Sequence, residues 1–207
     1  MPSAEQLRST RTLTWRSLRW VVRHRAWTRW YLIRYWRFFQ LKMRNRHVIT
    51  RGFVFLDRGA QVHARKGYGR LILGKWVHLG AGTALRCHEG TLSLGDKCNL
   101  ARDISINCYL DVEIGDSALI ADDVYISDFD HRFDDLTRTI KDQGIVKSRV
   151  RIERDVWLGT KVTVCRGVVI GEGTIVGANA VVTRDLPAFS VAVGVPARVI
   201  KDRKLLD

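Results

Sequence analysis

Acidic residues are almost missing from the first fifty positions of this chain, where Glu5 stands alone against twelve Lys and Arg. About +11 of the formal net charge of +14 therefore sits there, and the rest of the 207 residues are close to balanced. Five of the seven Trp fall in the same segment, so two parts with different jobs are implied. Proline is scarce at three residues, and no Pro-rich or Ser-rich stretch occurs, which argues against a long loose linker. No apolar run approaches the ~20 residues of a membrane span. The most apolar N-terminal stretch, Trp30 to Phe39, is broken by Arg34 and Arg37. A secretory signal needs an unbroken apolar region and a small-residue cleavage site, and neither is visible. The four Cys (87, 98, 108 and 165) form no CxxC, which argues against a zinc ribbon or a thioredoxin-type site. Buried reduced thiols in a cytoplasmic protein are expected instead.

What is present is a repeat. From Ile152, steps of six land on Leu158, Val164, Ile170, Val176 and Val182. Four residues after the first five of these stand Val156, Val162, Val168, Thr174 and Ala180, all small or β-branched. The same template recurs upstream in three sets: Leu73, Leu79, Leu85; Leu94, Leu100, Ile106; and Ile114, Ile120, Ile126. A period of six is neither helical nor a simple strand alternation. Each insertion falls after the third hexad of a set. Three hexads thus make one triangular coil, with a short strand on each side and the aliphatics pointing inward.

Stacked coils pair as parallel strands ~4.8 Å apart. Residues 52–72 are read as a first, irregular coil through Val54, Val62 and Leu71. The fold class is all-β, a parallel β-helix of hexapeptide repeats whose handedness the period alone does not fix. It spans 52–207 with an inserted loop at 127–151, and 1–51 form a basic, aromatic, helical extension. Cys87 and Cys108 occupy equivalent positions one coil apart. That stacking puts them within disulfide range as free thiols open to oxidation.

The stretch from Val156-Trp157-Leu158-Gly159 to Gly194-Val195-Pro196-Ala197-Arg198, with the run Ile170 to Thr183, resembles the signature of hexapeptide-repeat acyltransferases. The resemblance covers roughly residues 70–203 and is strongest to the maltose and galactoside O-acetyltransferase branch and its polysaccharide-biosynthesis relatives. It implies a left-handed β-helix, a homotrimer and an acyl-CoA donor, acetyl-CoA first, with no metal. It also implies that His131, in the loop Ser127-Asp128-Phe129-Asp130-His131, is the catalytic base. A His suits that task because its unperturbed pKa of about 6.5 lets it take a proton at neutral pH.

Other roles follow from the same resemblance. Asn107 matches the family's acceptor-binding Asn, though a corner turn residue is an equal reading. Asp128 and Asp130 are candidates to contact the acceptor or orient the imidazole; ordinary solvated loop carboxylates are the alternative. For the donor, Thr160 and Ala178 match backbone contacts of the pantetheine arm. Thr183, Arg184 and Arg198, with Lys201, are candidates for the far end of coenzyme A and its phosphates. Gly159 and Gly177 leave room for a ligand or serve tight turns. A three-His zinc site of the kind found on related β-helices is not expected, because His63, His78 and His88 have the wrong spacing.

The extension lacks Gly and Pro between 5 and 47, which permits long helix. Its mixture of cations and aromatics suits an anionic membrane surface first. Packing within the oligomer or as a cap comes second, and nucleic acid a distant third. The expected protein is a cytoplasmic acyl-CoA-dependent O-acyltransferase acting on a sugar, glycan or glycolipid precursor, with room for a peripheral place at the inner face of the membrane. The rival is a non-catalytic β-helix scaffold or membrane adaptor.

Overall fold

The structure is a computed structural model and describes residues 14–205. Residues 1–13 of the expected helical extension lie outside the described residues.

Six coils stack into a three-sided prism. Its faces are parallel sheets, and each coil contributes one strand to each face. The first face is closed by a column Thr50, Leu73, Leu94, Ile114, Ile152, Ile170. The second carries Leu56, Leu79, Leu100, Ile120, Leu158, Val176 and then Ala192. The third carries Val62, Leu85, Ile106, Ile126, Val164, Val182. Every hexad aliphatic identified in the sequence falls in one of these columns and is buried. The residues four later, Val156, Val162, Val168, Thr174 and Ala180, are buried beside them. A one-residue slip would turn a whole column outward, so burial fixes the register.

The corners explain the polar residues between hexads. The residue just before each small inward position has positive φ: Asp103, Asp123, Asp155 and Asn179 lie at 56–61°. Asp and Asn tolerate this left-handed conformation better than other side chains. Gly167 and Gly173 hold the same corner position with φ of 78° and 66°.

The first coil differs from its expected form. It opens at Ile49–Thr50, so the prism starts slightly before the boundary at 52. Leu56, rather than Val54, stands in the second column, and Leu71 belongs to the next coil, paired with Leu92. The reason is Thr50. A polar residue occupies the first aliphatic position, buried and bonded to the Lys42 Nζ at 3.1 Å, and it hides the start of the repeat. At the other end, Ser190–Val193 joins the second face and Arg198–Asp202 turns back on it antiparallel.

Two helices precede the coils. α1 (Trp15–Arg23) starts at a reciprocal cap between Thr14 and Ser17, which satisfies donors at the helix start. Arg25, with φ 49°, breaks the chain before α2 (Arg29–Arg44). Phe38 and Leu41 bury one side of α2 against the first coil. Trp20 stacks on Trp76 at 4.5 Å, and Tyr35 and Phe38 lie 5.3 and 5.8 Å from Phe53. Arg34 Nε meets Asp57 Oδ1 at 2.9 Å, and His78 reaches the other oxygen of Asp57 at 3.1 Å.

Candidate active site at the corner of the fourth coil

After Ser127 the chain leaves the third face and forms an antiparallel hairpin, Phe129–His131 against Ile145–Lys147. His131 pairs with Ile145, and its side chain is exposed. The imidazole makes no hydrogen bond among the described residues; its ring neighbour is Phe129, edge-on at 6.4 Å. Three side-chain anchors hold the hairpin against the prism. The Lys147 ammonium pairs with the Glu89 carboxylate, two coils below, and also lies 5.6 Å over the Tyr109 ring.

The second anchor is Asp128, and it corrects the sequence reading. Asp128 is fully buried. Its Oδ1 accepts the Tyr109 N–H at 2.8 Å, and its Oδ2 accepts those of Leu110 and Asp111 at 2.7 Å each. With both oxygens committed to the backbone below, Asp128 neither faces an acceptor nor orients His131. It staples the corner from which the hairpin springs. Asp130 is likewise taken, since its Oδ2 pairs with Arg166 Nε at 2.8 Å. Arg166, which also reaches Ser148 at 3.5 Å, ties the hairpin to the fifth coil. Neither carboxylate is a hydrogen-bond partner of the imidazole.

Asn107 stands on the outer side of the third face, in register with Ser127 of the next coil. Its Nδ2 donates to Ser105 Oγ at 3.3 Å, and Arg86 donates to the same hydroxyl at 3.0 Å. The structure thus places Asn107 on the face from which the His131 hairpin rises, one coil away.

Sequence reasoning missed a row of rings at this corner. His88 and Tyr109 stack at 4.7 Å, and Tyr109 meets Phe129 edge-on at 4.5 Å, which leads to His131. Each of the three follows directly on the innermost residue of its corner: Cys87, Cys108 and Asp128. The register that pairs Cys87 with Cys108 therefore also predicts this row. The His88 imidazole is held below its usual pKa by partial burial, then by the positive charge of His63, Arg86 and Arg65.

The donor candidates separate into two groups. Thr160 and Ala178 occupy the corner between the second and third faces, one coil apart and exposed. Neither backbone N–H has a partner among the described residues, whereas Arg102, at the same corner lower down, gives its N–H to Asp122 Oδ1 at 2.9 Å. Two open donors in line at coil spacing suit an extended ligand carrying amide carbonyls. Gly159 is needed for the stack itself, because a Cβ there would meet the Ala178 N at 2.7 Å. A Cβ at Gly177 would meet the Val193 side chain at 2.7 Å.

Thr183 and Arg184 are exposed at the next corner, and Arg198 lies on the terminal hairpin opposite Val193. In one chain, then, His131 and the Thr160–Ala178 pair lie at opposite edges of the third face. His78 is on the second face with Asp57 and Asn99, away from His63 and His88. No group of three metal-ligating side chains occurs among the described residues.

Known proteins resemble this stack of hexad coils. Residues 149–184 match the family model described as bacterial transferase hexapeptide (six repeats). The probable acetyltransferase Rv3034c of Mycobacterium tuberculosis is 54% identical over 198 residues, 96% of this chain and 66% of that protein. Galactoside O-acetyltransferase of Escherichia coli is 34% identical over 116 residues, 53% of this chain and 56% of that one. The chain thus spans slightly less than two thirds of the first relative and a little over half of the second. A variant of AntD, an N-acyltransferase from Bacillus cereus solved with dTDP and coenzyme A, shares the fold. Its TM-score is 0.67 at 23% identity, over 80% of this chain and 89% of that one. The chain is thus similar to hexapeptide-repeat acetyltransferases and carries their repeat over residues 149–184.

Proposed function

We propose that the chain transfers an acyl group, acetyl first, from its coenzyme A thioester to a hydroxyl of a sugar or glycan precursor. The observation that carries this reading is His131. It is an exposed imidazole with no hydrogen-bond partner among the described residues, on a hairpin fixed from both sides by Lys147 and Arg166. In the proposed step, His131 takes the proton of the acceptor hydroxyl as its oxygen attacks the thioester carbonyl. The tetrahedral intermediate collapses to the ester, and the departing thiolate takes the proton back from the imidazolium. An acetyltransferase relative covering 96% of the chain and a galactoside O-acetyltransferase over half of it support the donor and the sugar class.

The reading includes a homotrimer in the cytoplasm. Leu119 and Trp157 are exposed on the second face and stack in one column with Ile175. That apolar column borders the corner carrying Thr160 and Ala178. A neighbouring subunit packed there would bring its own His131 edge to the open N–H groups, with Asn107 beside the acceptor. Thr183, Arg184 and Arg198 would then meet the distal parts of coenzyme A.

The test is a screen of sugar acceptors for thiol release from acetyl-CoA, with mass spectrometry of products and calorimetry of donor binding. An acetylated sugar supports the reading. No binding at millimolar acetyl-CoA would favour a non-catalytic scaffold. Subunit mixing tests the shared site: His131→Ala chains combined with Ala178→Trp chains should regain about a quarter of the wild-type activity if each site draws on two subunits, and none if it does not.

A further inference from the structure

The helices carry a surface that the prism does not use. One line along α2, Leu32, Trp36, Phe39 and Met43, recurs at helical spacing and is 51–60% exposed. Trp36 stacks on Phe39 at 5.7 Å, so the line is a continuous apolar ridge. α1 repeats the pattern with Trp15, Leu18 and Val22, each more than half exposed. This ridge lies apart from Phe38 and Leu41, which pack on the first coil. Between ridge and packed side runs a polar line, Arg37, Gln40 and Arg44. With Asn45 and Gly59 it lines a pocket of about 250 Å³ between α2 and the first coil. Arg37 gives one N–H to the Leu56 carbonyl at 3.3 Å, and Arg44 has no partner among the described residues. Asp57 borders the pocket but is held by Arg34 and His78.

We infer that this side of α2 docks on an anionic lipid bilayer, with the ridge among the acyl chains and the Arg37–Gln40–Arg44 pocket on a lipid phosphate. Charge selects this occupant. The first fifty residues carry twelve cations and one acid, so a second copy of the segment would meet strong like-charge repulsion, whereas an anionic surface complements it. A contiguous exposed apolar ridge rimmed by polar residues is the kind of surface that marks an interaction site. Trp and Arg beside one another suit the headgroup boundary, where one is half-buried and the other stays wet. No helix among the described residues is long and apolar enough to cross a membrane, so the helices lie on the surface. The inference does not depend on acyl transfer.

The test is co-sedimentation of the full-length protein with vesicles of phosphatidylcholine alone or mixed with phosphatidylglycerol, at low and high salt. Binding should require phosphatidylglycerol and fade as salt screens the charges. Trp36→Ser with Phe39→Ser, and separately Arg37→Gln with Arg44→Gln, should each weaken it about tenfold or more while the melting curve stays unchanged. Equal binding by these variants, or equal binding to neutral vesicles, would overturn the inference. So would release by millimolar inorganic phosphate alone, which would mark a free-anion site. A change in oligomer mass in the ridge variant without vesicles would show that another copy covers the ridge, and would overturn it as well.

Discussion

In the coil stack, each inward side chain has the same kind of neighbour above and below it. In the two helices, each packed residue has its own kind of neighbour: Phe38 meets Phe53, Trp20 meets Trp76, and Arg34 meets Asp57. The stack is held by repetition and tolerates only what fits every coil. The helices are held by a few particular contacts on one side and leave the other side exposed. Stability therefore concentrates in the prism.

The largest expected contrast is in packing. Leu100→Ala, at a fully buried column position, should cost about 2–5 kcal/mol in denaturant unfolding. Trp36→Ala on the exposed ridge should change it by no more than about 0.5 kcal/mol. A comparable loss at Trp36 would mean that the ridge is covered in the free protein.

Asp128→Ala comes next, because it leaves three backbone N–H groups under a buried corner without their acceptor. It should cost about 2–4 kcal/mol, with hydrogen exchange rising at Tyr109, Leu110 and Asp111. A mild effect confined to the hairpin would show that the staple is weaker than its three bonds suggest.

This contrast also explains what was legible beforehand. A period of six recurs along Leu73 to Val182, and each repetition confirms the last, so the columns and the Cys87–Cys108 register could be read directly. Thr50 broke the pattern with one polar side chain and moved the start of the prism. Asp128 could not be read. A buried carboxylate and a solvated one look alike in sequence, and only the corner below supplies the three N–H groups. The helices were legible as basic and aromatic, but their aromatics point several ways, and which side packs is decided by Phe53, Phe55 and Trp76 on the coils.

A smaller effect separates α2 from the prism by pH. Burial alone would raise the Asp57 carboxyl, but Arg34 and His78 outweigh it and hold it below the usual range. A depressed carboxyl stabilises the fold above its unfolded pKa of about 3.9, and that contribution is lost as pH falls through the folded value. Arg34→Gln should cost about 0.5–1 kcal/mol at neutral pH and shift the acid release of α2, followed by Trp fluorescence, to higher pH. An unchanged acid transition would mean that the aromatic cluster alone docks the helix.

The smallest expected effect is chemical. Cys87 and Cys108 are buried free thiols in register; the contact between them lowers the first and raises the second. Burial pushes Cys98 up to about 12. Mild oxidant should slowly yield an 87–108 link in non-reducing mass spectrometry. A 98–165 link would contradict the coil register.

The proposed acyl transfer depends most on His131 as its base. The measurement that tests it directly is kcat/KM for thiol release from acetyl-CoA in the presence of the acceptor, compared between wild type and His131→Ala. A fall of about 10²–10⁴-fold, with the melting curve and oligomer mass unchanged, is the expected result. Full activity in the variant would contradict the assignment.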